Sequence, residues 1–352
     1  MAGQAADEPG GSPPFTATAS PGFTAWLAEH RCSLAVSTYQ AGKLFFFGAQ
    51  PDGRLWVFNR TIGKCQGLAF DNNSLWVSAD SQIIRFTDAV AGQPVAGQGP
   101  DALFLPRSIH FTGDVDAHDM AVARDGRLVF ANTVFNCLAA VTDERSFEVL
   151  WKPPFISQIG PGDRCHLNGL AMKDGVPASV SVTAASDTRD GWRDQRADGG
   201  LVIDVSSGET LCEGLSMPHS PRHHDGRLWL HNSGTGEFGH VEKRSGGFQP
   251  VTFCPGYLRG LGFVEGFAVV GLSKPRGSKT LSGLKLDADL ERRNMAPMCG
   301  IQVIDLKSGQ TVHSLTIDGI VEELYDVAVL PGRVRPSAMG PNSTEARHMI
   351  AL

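Results

Sequence analysis

Residues Glu323 to Leu330 read ELYDVAVL, and they decide the fold because they lie too near the end of a 352-residue chain to build a sheet of their own. The same short pattern, a polar or aromatic residue followed by a small-apolar core, occurs five times earlier. It stands at Gln66-Gly67-Leu68-Ala69-Phe70, His118-Asp119-Met120-Ala121-Val122, Asn168-Gly169-Leu170-Ala171-Met172 and Arg259-Gly260-Leu261-Gly262-Phe263, and His219-Ser220-Pro221-Arg222 fills the remaining gap. The spacing is about 50 residues, close to the ~40–45 of a four-stranded propeller blade with room for insertions. A second repeat runs in step with it: Asp52-Gly53-Arg54-Leu55-Trp56, Asp125-Gly126-Arg127-Leu128-Val129 and Asp225-Gly226-Arg227-Leu228-Trp229.

Between these units the chain consists of short apolar runs bounded by turn residues, such as KLFFFGA, RLWVFN and SLWVSA, with little helical periodicity. Its 41 glycines and 21 prolines are spread through it as turns, not gathered into a linker. The strands around Ser33 to Asn59 lack a preceding inner strand, and Glu323 to Leu330 lacks following ones. Joining the two closes a ring with no open seam. The expected fold is therefore all-β: a single six-bladed β-propeller over residues 33–332. Residues 1–20, rich in Ala, Gly, Pro and Ser, are expected as a disordered tail and 333–352 as a C-terminal one. Ser20 and Pro21 read as the cap and first residue of a short helix over 21–32.

A formal net charge of −6 provides no basic field for nucleic acid or anionic lipid. Seven cysteines without a close Cys-x-x-Cys pair read as reduced and buried. The first twenty residues have neither a basic nor an apolar leader region, and no later run reaches the ~18 apolar residues of a membrane span. These features lead to the expectation of a cytoplasmic protein with no membrane partner.

The first strand of each blade lines the central channel, which places Gln66, His118, Asn168, His219, Arg259 and Tyr325 near one mouth, with Asp116, His166, Tyr257 and Glu323 two residues earlier in their units. The stretch Ser216 to Phe238, SMPHSPRHHDGRLWLHNSGTGEF, holds four of the eleven histidines, but only His219 falls in the channel register. A site drawn from several blades follows: His118, His166, His219 and Glu323 as ligands of a divalent transition metal such as Zn, Fe, Mn or Cu. The competing reading bonds these histidines to channel waters and backbone carbonyls. Arg259, Tyr325 and Asp326 are the candidates for substrate orientation and chemistry, and Asn168 for substrate contact. Two charged insertions, Ser186 to Gly200 and Ser273 to Cys299, are expected to roof the same mouth. Trp192 would be an exposed lid surface there, with Arg189 and Arg276 gripping an anionic group. Cys165 beside His166 is a poor nucleophile–base pair, because neighbours on a strand point to opposite faces.

The stretches SMPHSPRHHDGRLWLHNSGTGEF, CHLNGLAM, GLSKPRG, CGIQVIDLKSGQ and VEELYDVAVLPG resemble an uncharacterised bacterial family of conserved hypothetical proteins with a domain of unknown function. The resemblance runs from about Gly22 to Pro336. It implies a six-bladed propeller and no particular reaction. Asn168-Gly169-Leu170-Ala171 is also similar to the inner-strand motif of gluconolactonase and regucalcin propellers, in which such an Asn helps to hold a divalent metal; Glu323 is compatible by position. His118 and His219 stand where that superfamily places oxygen ligands, which turns the preference from calcium to a softer metal or a metal-free pocket. The expected function is binding of a small anionic metabolite, with metal-assisted hydrolase or lyase chemistry. The rival is a noncatalytic propeller that docks a protein or peptide.

Overall fold

In a computed structural model, which describes residues 15–91, 99–242, 245–275 and 283–349, six antiparallel sheets stand in a ring. Asp326–Pro331 is the inner strand of blade one and pairs with Cys32–Thr38, followed outward by Lys43–Ala49 and Leu55–Thr61. The closure expected from ELYDVAVL is thus the one observed, with Val36 opposite Val327 and Ala35 opposite Ala328. Blades two to six open on Cys65–Asp71, Ala117–Val122, Leu167–Lys173, Pro218–His224 and Tyr257–Val264, each beginning at or beside a residue of the repeated pattern.

Three boundaries differ from the sequence reading. Thr16–Ala19 is not tail but a fifth strand on the outside of blade six, paired with Leu315 to Asp318. Pro336–Ala338 adds a parallel fifth strand to blade two against Ala102–Phe104. Both segments are too short and too small in side chain to give an alternating signal; they are held by an existing sheet edge. The helix α1 spans only Phe23–Glu29, and its N-cap is Gly22 in a left-handed conformation. Ser20 does not cap it, because its hydroxyl accepts the Ser314 N–H at 2.9 Å. Phe23, Trp26 and Leu27 are buried as expected, against blades one and six.

An inner strand has a ladder partner on one edge only, so its other edge leaves N–H and C=O groups facing the neighbouring blade. Side chains of blades one, three and five satisfy those of two, four and six. Asp326 Oδ2 accepts Leu68 N–H at 2.8 Å, Asp119 Oδ2 accepts Leu170 N–H at 2.9 Å, and Ser220 Oγ accepts Gly260 N–H at 3.0 Å. The equivalent residues of the other three blades are glycines, and they must be. A Cβ on Gly169 would lie 2.3 Å from Pro221 Cδ, and one on Gly260 would lie 2.4 Å from Val327 N.

Asp119 also receives both terminal nitrogens of Arg222 at 2.7 and 2.9 Å, a bidentate pair near the ring axis. Replacing Asp119 by Ala would orphan the Leu170 N–H and a largely buried guanidinium together. The expected loss is about 3 to 5 kcal/mol of unfolding free energy, read by urea denaturation.

Candidate metal centre at the channel mouth

The inner strands of blades three, four and five bring His118, His166 and His219 together, with one ring nitrogen of each within 4.8 Å of the others. All three rings are buried. The His118 and His166 rings meet edge to face at 4.8 Å, and His118 and His219 lie 6.4 Å apart. The remaining histidines of the 216–238 stretch and its surroundings are elsewhere. His224 stacks on Phe263, His231 Nε2 bonds Gly260 O, His223 contacts Ser179, and His240 packs on Trp229.

The hydrogen-bond network fixes the tautomers. Thr133 Oγ1 gives its single proton to Leu167 O at 2.6 Å, so at 2.8 Å from His118 Nδ1 it can only accept. His118 Nδ1–H also faces Asp116 O at 3.0 Å. His219 repeats the arrangement: Ser233 Oγ donates to Leu258 O, and His219 Nδ1–H is shared between Met217 O at 2.8 Å and Ser233 Oγ at 3.3 Å. His166 Nδ1 faces both oxygens of Asp163 at 3.0 and 3.1 Å. Each Nδ1 is therefore turned to an acceptor of the protein, and each Nε2 is left for another partner. His219 Nε2 is buried without a hydrogen-bond partner. Imidazoles oriented by a carbonyl or carboxylate behind them are the usual supports of a metal ligand.

Electrostatics keep the lone pairs available. Burial, against an upward pull from Asp116, lowers the His118 pKa to about 4, with His166 and Arg259 adding to the fall. Burial, then Arg259 and His118, holds His219 well below 6.5. Burial raises the Asp163 carboxyl, but His166, His118 and Trp192 more than reverse this and bring it below its ordinary value.

The other half of the channel wall belongs to blades six, one and two. Arg259 lies over the Tyr325 ring at 4.7 Å, and Tyr325 sits 5.2 Å from His118. Gln66 donates to Asp116 and, at 3.3 Å, to the Tyr325 oxygen. Burial first, and Asp116 next, raise the Tyr325 pKa well above 10, so it remains a phenol. Glu323 is buried in the turn leading into blade one.

Other expected site residues are used differently. Asp326 spends its oxygens on Leu68 N–H and Val327 N–H, and the Asn168 amide is engaged by Ser181 and Thr183, so both shape the wall from behind. Arg189 is exposed and lies 3.9 Å from Asp190. Arg276 lies outside the described residues. Cys165 is buried with its thiol pKa raised by desolvation, which leaves it inert.

Trp192 is not an exposed lid. It is 1% exposed, stacks on His166 at 4.2 Å and donates Nε1–H to Asp163 at 2.9 Å. It shares a core with Met217 and Tyr257 from the blade entries and with Leu284, Leu286 and Leu290. The last two lie on α2, Lys285–Arg293, in the second insertion. Both insertions thus meet over the histidine mouth, as expected, but as a packed roof. Sequence reasoning missed α2, although Leu286 and Leu290 stand at i, i+4 spacing. It also missed Asp163, which no local motif marks.

The sequence profile of a family described as a domain of unknown function, DUF4915, matches residues 21–339. No protein with a curated description matches the chain. Among solved structures, a protein of unknown function from Bacteroides caccae aligns at 13% identity and a TM-score of 0.50, covering 85% of this chain and 98% of that one. A chain of a nidogen/laminin complex aligns at 11% identity and a TM-score of 0.56, covering 86% and 99%. Virginiamycin B lyase from Staphylococcus aureus, solved with quinupristin, aligns at 10% identity and a TM-score of 0.40, covering 87% and 100%. At these identities the likeness extends to the fold alone.

Two outcomes follow from this geometry. Unfolded chains take up protons on His118 at its ordinary 6.5, whereas the fold resists until about 4. The stability that neutral His118 contributes is complete above pH 6.5 and is lost as pH falls towards 4. Asp326, raised to about 7 mainly by burial, acts in the opposite sense, its contribution being lost as pH rises from 3.8 through 7, but it is common to wild type and variant. Urea denaturation of metal-free protein should show a steeper loss between pH 6.5 and 4 in the wild type than in His118→Gln/His219→Gln. Trp192→Ala should destabilise by about 3 to 5 kcal/mol, as a core deletion does, seen as a lower thermal midpoint.

Proposed function

We propose that this chain, which belongs to the DUF4915 family, binds a divalent transition metal through His118, His166 and His219 and acts on a small anionic metabolite as a metal-assisted hydrolase or lyase. The observation that carries the reading is the convergence of three buried imidazoles, each held by the protein through Nδ1, with the His219 Nε2 buried without a partner. A buried acceptor left unmatched costs roughly 1 to 3 kcal/mol. A metal ion would offset that cost at His219 Nε2 while engaging the two imidazoles beside it. Imidazole donors favour Zn, Fe, Mn or Cu over calcium, and the clustered ligand atoms are those of the three histidines, without Glu323.

A bound ion supplies Lewis-acid polarisation of an oxygen and a lowered pKa for bound water. The chain's own residues do the rest. Asp163 and the Asp116 carbonyl orient imidazoles, Arg259 offers a fixed charge to an anion, and the Tyr325 phenol is a hydrogen-bond donor. The roof around Trp192 excludes water, which strengthens each of these interactions. A docking propeller would call for an apolar patch at a channel mouth. Two of the large apolar residues exposed on this molecule, Ile109 and Phe111, instead lie on the outer strand of blade two. Seven free, buried thiols fit a cytoplasmic location.

Protein prepared without a tag or chelator should carry close to one equivalent of a transition metal by elemental analysis. His118→Ala and His219→Ala should each lower occupancy by at least tenfold while circular dichroism still reports the β-fold. A metal-free wild type that fails to take up Zn(II) or Co(II) in equilibrium dialysis would end the proposal.

A further inference from the structure

Resting on that metal reading, we infer that the ligand of the site is a small monocarboxylate with a second oxygen on the neighbouring carbon, a 2-hydroxy or 2-oxo acid, its carboxylate on Arg259 and its two adjacent oxygens on the ion. The first argument is geometric. The three imidazoles come from consecutive blades, so they occupy one half of the channel wall and leave the open coordination positions facing the other half. That half presents Arg259, Tyr325 and Gln66.

The second argument is charge. Three other arginines of the ring are paired with carboxylates: Arg164 with Asp187, Arg222 with Asp119 and Arg333 with Asp88. Among the described residues no ion pair to a carboxylate is seen for Arg259, whose guanidinium lies over the Tyr325 ring, itself beside His118. A half-buried guanidinium left in this way is matched by one planar, two-oxygen anion.

The third argument is the Tyr325 proton. Its oxygen accepts from Gln66 at 3.3 Å and its ring lies beside His118, so its O–H is a donor at the edge of the site. A ligand oxygen bound beside the ion is a suitable acceptor.

The test uses Co(II)-loaded protein, whose visible d–d absorption reports on its ligands. Glycolate, lactate and pyruvate should each shift the spectrum saturably, at least tenfold more tightly than acetate or inorganic phosphate. Arg259→Gln should keep the Co(II) spectrum but lose at least tenfold in affinity for these acids, and Tyr325→Phe should lose a smaller factor. Phosphate binding as tightly as lactate, no spectral response to any acid, or an unchanged affinity in Arg259→Gln would overturn the inference and leave the metal site standing. Failure of Co(II) to bind at all would overturn both.

Discussion

The unpaired inner edge of each blade is the constraint on which the rest of this structure depends. Six strands converge on one axis, and each exposes backbone groups to a neighbour with which it cannot form a ladder. The chain answers with alternation. Blades one, three and five carry Asp326, Asp119 and Ser220, which accept the N–H groups of Leu68, Leu170 and Gly260. Their second strands or adjoining turns carry Ser37, Thr133 and Ser233, which donate to the carbonyls of Gln66, Leu167 and Leu258. Blades two, four and six receive these bonds and carry Gly67, Gly169 and Gly260, where a Cβ would strike the following blade. A ring of six blades behaves at its centre as three pairs.

That alternation builds the site. The hydroxyls of Thr133 and Ser233, once committed to carbonyls of the next blade, can only accept from His118 and His219. The tautomers of two imidazoles are therefore consequences of how the ring is tied. In blade one the same position holds Tyr325, whose ring extends the line of aromatic groups beyond His118. His166 departs from the pattern: it belongs to a receiving blade, sits one turn earlier with a positive φ of 50°, and is oriented by Asp163 instead of a strand hydroxyl.

The six-blade count, the closure by Glu323 to Leu330 and the meeting of His118, His166 and His219 were legible because each follows from register, and a repeat displays register directly. The Gly67, Gly169 and Gly260 column was present in the same alignment, but its meaning lies in contacts between blades, which a single repeat unit does not contain. The burial of Trp192 was hidden for another reason. Its neighbours Arg189, Asp190, Arg193 and Asp194 give the segment the composition of a solvated loop, and its apolar partners Leu284, Leu286 and Leu290 arrive from an insertion some ninety residues later. Pairing between two irregular segments has no period. The strand at Pro336–Ala338 was likewise invisible, since its order comes from the edge of Ala102–Phe104.

The channel mouth is costly by the standards that govern the rest of the ring. Buried neutral imidazoles, an acceptor nitrogen without a partner, a guanidinium facing other bases and non-glycine residues at positive φ, among them Asp116, His166 and Met217, all reduce stability relative to an apolar lining. Within a few residues on the same inner strands, Leu167, Ala171 and Leu258 are packed at zero exposure. Local unfavourable terms of this kind persist where the fold over-determines them, and here the roof and the inter-blade bonds do so. The lower side of the same ring makes the contrast: there Arg222 is bidentate to Asp119 and every oxygen of Asp326 is engaged, so the polar groups complete one another. At the histidine end the His219 Nε2 acceptor is buried without a hydrogen-bond partner, and that is the opening the proposed cation would fill.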